Sequence, residues 1–287
     1  PLQPVQIEQK QIAADGTGTG KFLIRLADGK AIESVLMKYK FGYSLCISSQ
    51  AGCRMGCRFC ASTLTGLERN LSAGEMVQQV YAVEREAGVN ISNIVVMGCG
   101  EPFDNFEELI KFLQLIHHED GKGLSLRNIT ISTCGIVPKI REFAHEQTQY
   151  NLAISLHAPN NELRNKLMPI NRAYPLEQLM DAIDEYTKLN NRRLTFEYIL
   201  LKGVNDQNKH VDELANLIRG LNAYVNLIPY NEVDEHGYRS VDYKSAMVFY
   251  DKLMKKGIRC TIRKEHGGDI DAACGQLRAK KEKERMG

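Results

Sequence analysis

Cys53-Arg-Met-Gly-Cys57-Arg-Phe-Cys60 places three cysteines at C-x3-C-x2-C spacing. Three thiolates can hold three irons of a [4Fe–4S] cube and leave the fourth iron open to a substrate, whereas an electron-transfer cluster is closed by four cysteines. An open iron points to chemistry at the cluster. The competing reading is a structural zinc site, which needs a partner pair of ligands elsewhere. No second C-x2-C pair accompanies the run; Cys46, Cys99, Cys134, Cys260 and Cys274 stand singly, with no histidine at ligand spacing beside them.

Around this stretch the chain has the bulk of a catalytic domain. Its 287 residues are 43% hydrophobic, enough to bury a sizeable core, and α/β barrels of this length form one domain. Eight cysteines with no basic-then-apolar leader fit a reducing cytoplasm, where thiols serve as ligands or nucleophiles. No apolar run approaches the roughly 18 residues of a bilayer span, so no membrane partner is expected. The net charge of +2 neither demands nor forbids a nucleic acid, because a local basic face decides that. The chain opens at Pro1 rather than Met, so a further N-terminal portion is expected.

Residues 1–18 are polar and glycine-containing, and are read as an irregular lead-in. Lys21–Leu26 and Ala31–Met37, joined by Asp28-Gly29, predict a β-hairpin. After the cysteine loop, Met76, Val77, Val80, Tyr81 and Val83 recur at helical spacing, and Ile94–Met97 reads as a buried strand. Helices near 106–117, 138–147, 176–189, 209–219 and 243–256 then alternate with strands near 128–132, 152–156, 194–200, 224–228 and 259–262. Some six strand–helix alternations imply parallel strands with crossover helices, and six units fall short of a closed eightfold barrel. The expected fold class is therefore α/β, a partial (βα)6 barrel with an N-terminal β-hairpin extension. Its expected segments are 1–40 for the extension, 41–265 for the barrel, and 266–287 for a C-terminal segment with a charged tail.

The cysteine loop then follows the first barrel strand, at the edge where such sheets bind ligands. Met97-Gly-Cys-Gly-Glu-Pro102 ends the next strand, and its glycines allow close backbone approach to a ligand. Ser132, Ser155-Leu156-His157 and Asn226 are small polar groups expected at later strand ends. Read alone, each is a turn or cap residue. With the cysteine spacing in front of them, they resemble the radical S-adenosylmethionine (SAM) superfamily, in which a Gly-Glu-Pro motif holds the methionine amino group. The resemblance implies a [4Fe–4S] cluster on Cys53, Cys57 and Cys60, and SAM contacts from Gly100, Glu101, Ser132, Ser155, Leu156, His157 and Asn226.

Longer stretches narrow the likeness: Leu45-Cys-Ile-Ser-Ser-Gln-Ala-Gly-Cys53, Cys60-Ala-Ser-Thr, Ser155-Leu-His-Ala-Pro-Asn160, Met168-Pro-Ile-Asn171 and Asp269-Ile-Asp-Ala-Ala-Cys-Gly-Gln-Leu277. From about Lys21 to Arg278 the chain resembles the RlmN family of RNA adenine C2 methyltransferases. Its relative Cfr, which methylates C8 of the same adenine and confers antibiotic resistance, shares much of the pattern. Gly100-Glu101-Pro102 and Cys60-Ala-Ser-Thr-Leu64 favour the C2 branch. A radical SAM enzyme with a non-RNA substrate and a non-catalytic metal-bound RNA-binding module are the other readings.

By this resemblance, one SAM methylates Cys274, a second SAM is split to a 5′-deoxyadenosyl radical, and the radical activates the methyl group for addition to the adenine. Cys46 takes part in release and ends in a disulfide with Cys274, which an external reductant opens. Glu33 matches a glutamate assigned as proton acceptor; read without the family, it is a solvent-facing strand residue. The implied partners are 23S rRNA and tRNA as substrates and an electron donor such as flavodoxin or ferredoxin, with a cytoplasmic monomer expected. The target adenine must be flipped from its stack. Arg54, Arg58, Arg69, Arg192, Arg193, Arg263 and Lys264 are candidates for phosphate contacts. The small N-terminal domain with which such enzymes help bind RNA is not recognisable before Lys21.

Overall fold

Alternation of exposed and half-buried positions begins earlier than the hairpin. Gln6-Ile-Glu-Gln-Lys-Gln-Ile12 forms strand β1, its side chains alternating between exposed and half-buried. It pairs antiparallel with β2 (Gly20–Arg25), which pairs with β3 (Ala31–Tyr39). The N-terminal extension is therefore a three-stranded meander rather than a hairpin behind an irregular lead-in. Between β2 and β3 the predicted turn forms: Gly29 takes φ +83°, and Asp28 Oδ1 accepts from the Lys30 N–H at 3.1 Å. The structure is a computed structural model that describes residues 4–146, 149–263, 270, 277 and 278.

The described chain falls into two compact units. In the first, β3 pairs antiparallel with β4 (Gly42–Ile47), and β4 then pairs in parallel with β7 (Ile91–Val96), and β7 with β8 (Ile129–Thr133). A short antiparallel pair, β5 (Gln50–Gly52) and β6 (Leu67–Asn70), brackets the cysteine loop in the chain. Helix α1 (Ala73–Ala87) starts at Ser72, whose hydroxyl accepts from the Glu75 N–H while Glu75 returns a bond to the Ser72 N–H. It ends at Gly88 in the left-handed conformation. Its buried stripe of Met76, Val80 and Val83 covers β4, and helix α2 (Phe106–His117) packs beside it. Leu45 and Ile47 of β4 are wholly buried, each contributing roughly 2 kcal/mol.

The second unit holds β9 (Asn151–Ser155), β10 (Leu194–Leu200), β11 (Ala223–Pro229) and β12 (Cys260–Ile262), all parallel. Helices α3 (Val137–His145), α4 (Asn161–Leu167), α5 (Leu176–Asn190), α6 (Asn208–Leu217) and α7 (Tyr243–Lys255) connect them. The expected alternation is present element by element, so the α/β class and the parallel sheets of the partial barrel reading stand. Helix α4 was not foreseen: Asn160 caps it, accepting from the Leu163 N–H at 2.9 Å. Among the described residues no helix is long and apolar enough to cross a membrane.

Candidate active site

In the first unit the site grows from the end of β4. Cys46, its penultimate residue, is buried against Val35 and Met37 of β3, with Val95 and Met97 packed beside them. It lies level with Val95, and Ile47 with Val96, which in turn lies level with Ile131 of β8. Cys46, the Met97–Pro102 segment and Ser132 therefore share one edge of this sheet. A buried polar knot fixes that edge. Ser48 donates from its N–H to Gln79 Oε1 at 2.9 Å and from Oγ to the Glu33 carbonyl at 2.7 Å, and its hydroxyl accepts from the Cys99 N–H at 3.0 Å. Gln79 Nε2 donates to the Ser48 carbonyl at 2.9 Å.

The Gly-Glu-Pro segment is held against this edge. A Cβ on Gly98 would stand 2.6 Å from the Ile47 carbonyl oxygen, and one on Gly100, at φ +106°, 2.8 Å from the Gln50 nitrogen. Glu101 is buried; its N–H donates to Gln50 Oε1 at 2.8 Å, and Oε1 accepts from the Phe103 N–H at 3.0 Å. One carboxylate oxygen of Glu101 thus caps its own turn.

The cysteine loop starts at Gly52, whose φ of +80° no other residue tolerates easily, and the Cys53 N–H donates to the Gly66 carbonyl at 2.9 Å. Cys53 and Cys57 are buried and Cys60 half-buried. In the second unit the Arg58 N–H donates to the Leu167 carbonyl of α4 at 2.9 Å, and the Phe59 ring meets His157 edge-on at 4.8 Å. Among the described residues no group of three or more His, Cys, Asp or Glu gathers to hold a metal ion. A cube asks for a different arrangement, because each thiolate takes its own corner iron. The donor set fits such a cube: three thiols on one short loop, two of them buried. Four residues before Cys53, Ser49 Oγ is buried with no hydrogen-bond partner among the described residues.

The second unit presents a polar row across its sheet. Ser155 is level with Glu197, Glu197 with Asn226 and Asn226 with Thr261, so the four side chains share a face. Ser155 ends β9 as expected, whereas Asn226 lies in the middle of β11, which runs on for three residues beyond it. Its level is the same because β11 is the longer strand. Asn226 Nδ2 donates to Glu197 Oε2 at 2.8 Å, and burial pushes the Glu197 carboxyl up from its usual range. Leu156 is wholly buried and His157 nearly so. His157 stands at φ +56°, and its Nδ1 accepts from the Ile199 N–H at 3.1 Å. Burial, with the Arg164 charge adding to it, lowers its pKa to about 3, so the imidazole is neutral.

Arg164, on α4, has no solvent exposure. Its guanidinium donates to the carbonyls of Cys134 at 2.6 Å, Leu156 at 3.2 Å and Ser155 at 3.3 Å, and to Asn171 Oδ1 at 2.9 Å. It thereby ties the turns after β8 and β9 to one cation. Burial lowers its pKa to about 10. Glu33 corrects its solvent-facing reading: it is buried and paired with buried Lys21 at 3.0 Å. Arg54 pairs with Asp104 at 2.5 Å and Arg69 with Asp28 and Glu75, while Arg193 lies over the Tyr224 ring. Cys274 and Lys264 lie outside the described residues. The sequence reading missed Gln79, Arg164 and Glu197; their only signal is a lone polar residue within an apolar helical or strand pattern.

The profile described as the Radical SAM superfamily matches residues 47–218, more than half of the chain. A protein of Geobacillus kaustophilus named probable dual-specificity RNA methyltransferase RlmN is 55% identical over 278 residues, 96% of this chain and 76% of its own length. The chain belongs to the RlmN family of radical SAM enzymes. An RlmN relative of the same name from Spiroplasma citri is 55% identical over 286 residues, covering 98% of this chain and 81% of that one. The crystal structure of a radical SAM methyltransferase from Sphaerobacter thermophilus matches with a TM-score of 0.92 at 46% identity, over 97% of this chain and 82% of that chain. With RlmN membership come the [4Fe–4S] cluster and SAM as cofactors.

Proposed function

We propose that the protein methylates C2 of an adenine in 23S rRNA, and of the adenine 3′ of the anticodon in tRNA, with Cys274 as methyl carrier and Cys46 as its partner in release. The observation that carries this reading is the placement of Cys46 near the end of β4, seven residues before Cys53, with only the short strand β5 between it and the cysteine loop. C2 is electron-poor and bears no acidic proton, so polar transfer fails there; the cluster and SAM, when bound, supply the hydrogen-abstracting power that the reaction demands.

Cys53, Cys57 and Cys60 would hold the cluster. Gly100 and Glu101 offer main-chain and carboxylate acceptors to the methionine ammonium, and Ser132, Ser155, Leu156, His157 and Asn226 would seat the rest of SAM. Because His157 is neutral and its Nδ1 is engaged, it contributes Nε2 and ring surface rather than charge. Glu33 would accept the C2 proton, and for that its carboxylate must reach the base directly or through one water. Arg54 is 63% exposed by side chain and can turn toward a phosphate. A flavodoxin or ferredoxin donates electrons to a cytoplasmic monomer.

Anaerobic reconstitution followed by reaction with SAM, reductant and unmodified 23S rRNA fragments tests the proposal by mass spectrometry. A new methyl group at C2 is expected. Methyl at C8, or no methyl while SAM is cleaved, overturns the C2 assignment. A Cys274→Ala protein that still methylates RNA overturns the carrier role.

A further inference from the structure

Four residues beyond Cys274 in the chain stands Arg278, only 2% exposed. Its Nη1 donates to Cys99 Sγ at 3.4 Å and its Nη2 to Thr65 Oγ1 at 2.8 Å, and the guanidinium is ion-paired with Glu68. Its main-chain N–H donates to Glu33 Oε1 at 2.5 Å, while Glu33 Oε2 faces Lys21 Nζ at 3.0 Å. Leu277, just before it, packs in the core with Leu23 and Ala31.

A charged group taken out of water costs several kcal/mol unless it is paired and its donors are met. A solvated tail, which the sequence alone implies here, would place its arginine in water. Arg278 instead gathers partners from three elements that flank the chemistry. Thr65 and Glu68 lie five and eight residues after Cys60, Cys99 lies two before Glu101, and Glu33 lies on the strand paired with Cys46's strand. Burial pushes the Cys99 thiol up, so it meets the guanidinium as a neutral acceptor. Four residues of chain reach at most about 14 Å, so an anchor at this position limits the travel of the Cys274 sulfur.

We infer that Arg278 is a positioning residue for the methyl carrier. Arg278, four residues after Cys274 in the chain, is tied to the chain that leaves the cluster loop and to the loop before Glu101. The main-chain N–H of Arg278 also engages Glu33, so the proton acceptor and this anchor share one junction. This inference rests on Cys274 being the carrier, and the two are tested by separate readouts.

The full chain is prepared as Arg278→Ala, Arg278→Lys and Cys274→Ala. In metal-free protein, alkylation of Cys274 by iodoacetamide is timed by peptide mass spectrometry, with Cys134 and Cys260 as internal references. In reconstituted enzyme, 5′-deoxyadenosine formed is counted per adenine methylated. Arg278→Ala is expected to speed Cys274 alkylation about tenfold, by releasing the anchor four residues away, with the reference cysteines unchanged. It is expected to raise 5′-deoxyadenosine per methyl by a similar factor. Arg278→Lys should recover part of both effects, since lysine keeps the charge toward Glu68 but not the fork. Parent values of alkylation and of the ratio in a folded Arg278→Ala protein overturn the inference. If circular dichroism shows that this variant does not fold, Thr65→Val and Glu68→Gln replace it; a rise of about threefold in both readouts supports the anchor and none overturns it. Methylation by Cys274→Ala sinks the carrier reading and with it the positioning role, while the alkylation arm reports separately whether Arg278 anchors the chain near Cys274.

Discussion

His157 is the residue whose surroundings most constrain its chemistry. Its pKa near 3 in the folded protein, against 6.5 for the free side chain, means that between these values the unfolded chain binds a proton that the native state refuses. Stability from this group is present above pH 6.5 and is lost as pH falls, by up to about 1.4 kcal/mol per pH unit. Asparagine tolerates the left-handed backbone and can accept from Ile199. Urea unfolding of His157→Asn from pH 6 to pH 4 should therefore show a shallower loss than the parent; an equal slope in both would contradict the assignment. The Lys21–Glu33 pair makes a second residue-scale case. Glu33→Gln leaves a buried ammonium facing a neutral amide, and thermal unfolding should show a loss of roughly 3–5 kcal/mol. Replacing both by apolar residues, Lys21→Met with Glu33→Leu, should recover part of it.

At the level of elements, Arg164 joins α4 to the turns after β8 and β9. Arg164→Met keeps the volume but removes the guanidinium donors from the carbonyls of Cys134, Ser155 and Leu156 and from the Asn171 amide oxygen; the expected cost is roughly 3–5 kcal/mol, read as a lowered unfolding midpoint. Where β7 leaves the sheet, Gly98→Ala would push a methyl against the main chain of Ile47 and Ser48. Iron bound per chain after reconstitution should drop, with about 1–3 kcal/mol of stability lost. Much of this level was legible beforehand. Strand β10 and helix α2 fall on the residues that apolar spacing and β-branched content select. What escaped was polar. Strand β1 reads as lead-in because glutamine, glutamate and lysine supply its period, and α4 is too short to show one. Gln79 and Arg164 look like solvated helix residues until the fold shows which carbonyls they meet. Ser155 and Asn226 stand out in the sequence as polar residues of apolar strands, but Glu197 level with both does not, since the row appears only once strands of unequal length are in register.

For the whole molecule, the arrangement of the first unit's sheet matters most. Its parallel strands continue outward through an antiparallel meander that ends at β1. A terminal strand offers unsatisfied N–H and C=O groups to any other chain, and charged side chains along it discourage such pairing. Strand β1 carries Glu8 and Lys10 at that position, and these are met by Arg25 and Glu86. Behind it, β2 is almost entirely buried, with Phe22, Leu23 and Ile24 at its centre. Deleting residues 1–13 would therefore turn a guarded border into a sticky one: light scattering should show the shortened protein self-associating at concentrations where the parent stays monodisperse, even though every cysteine remains in place.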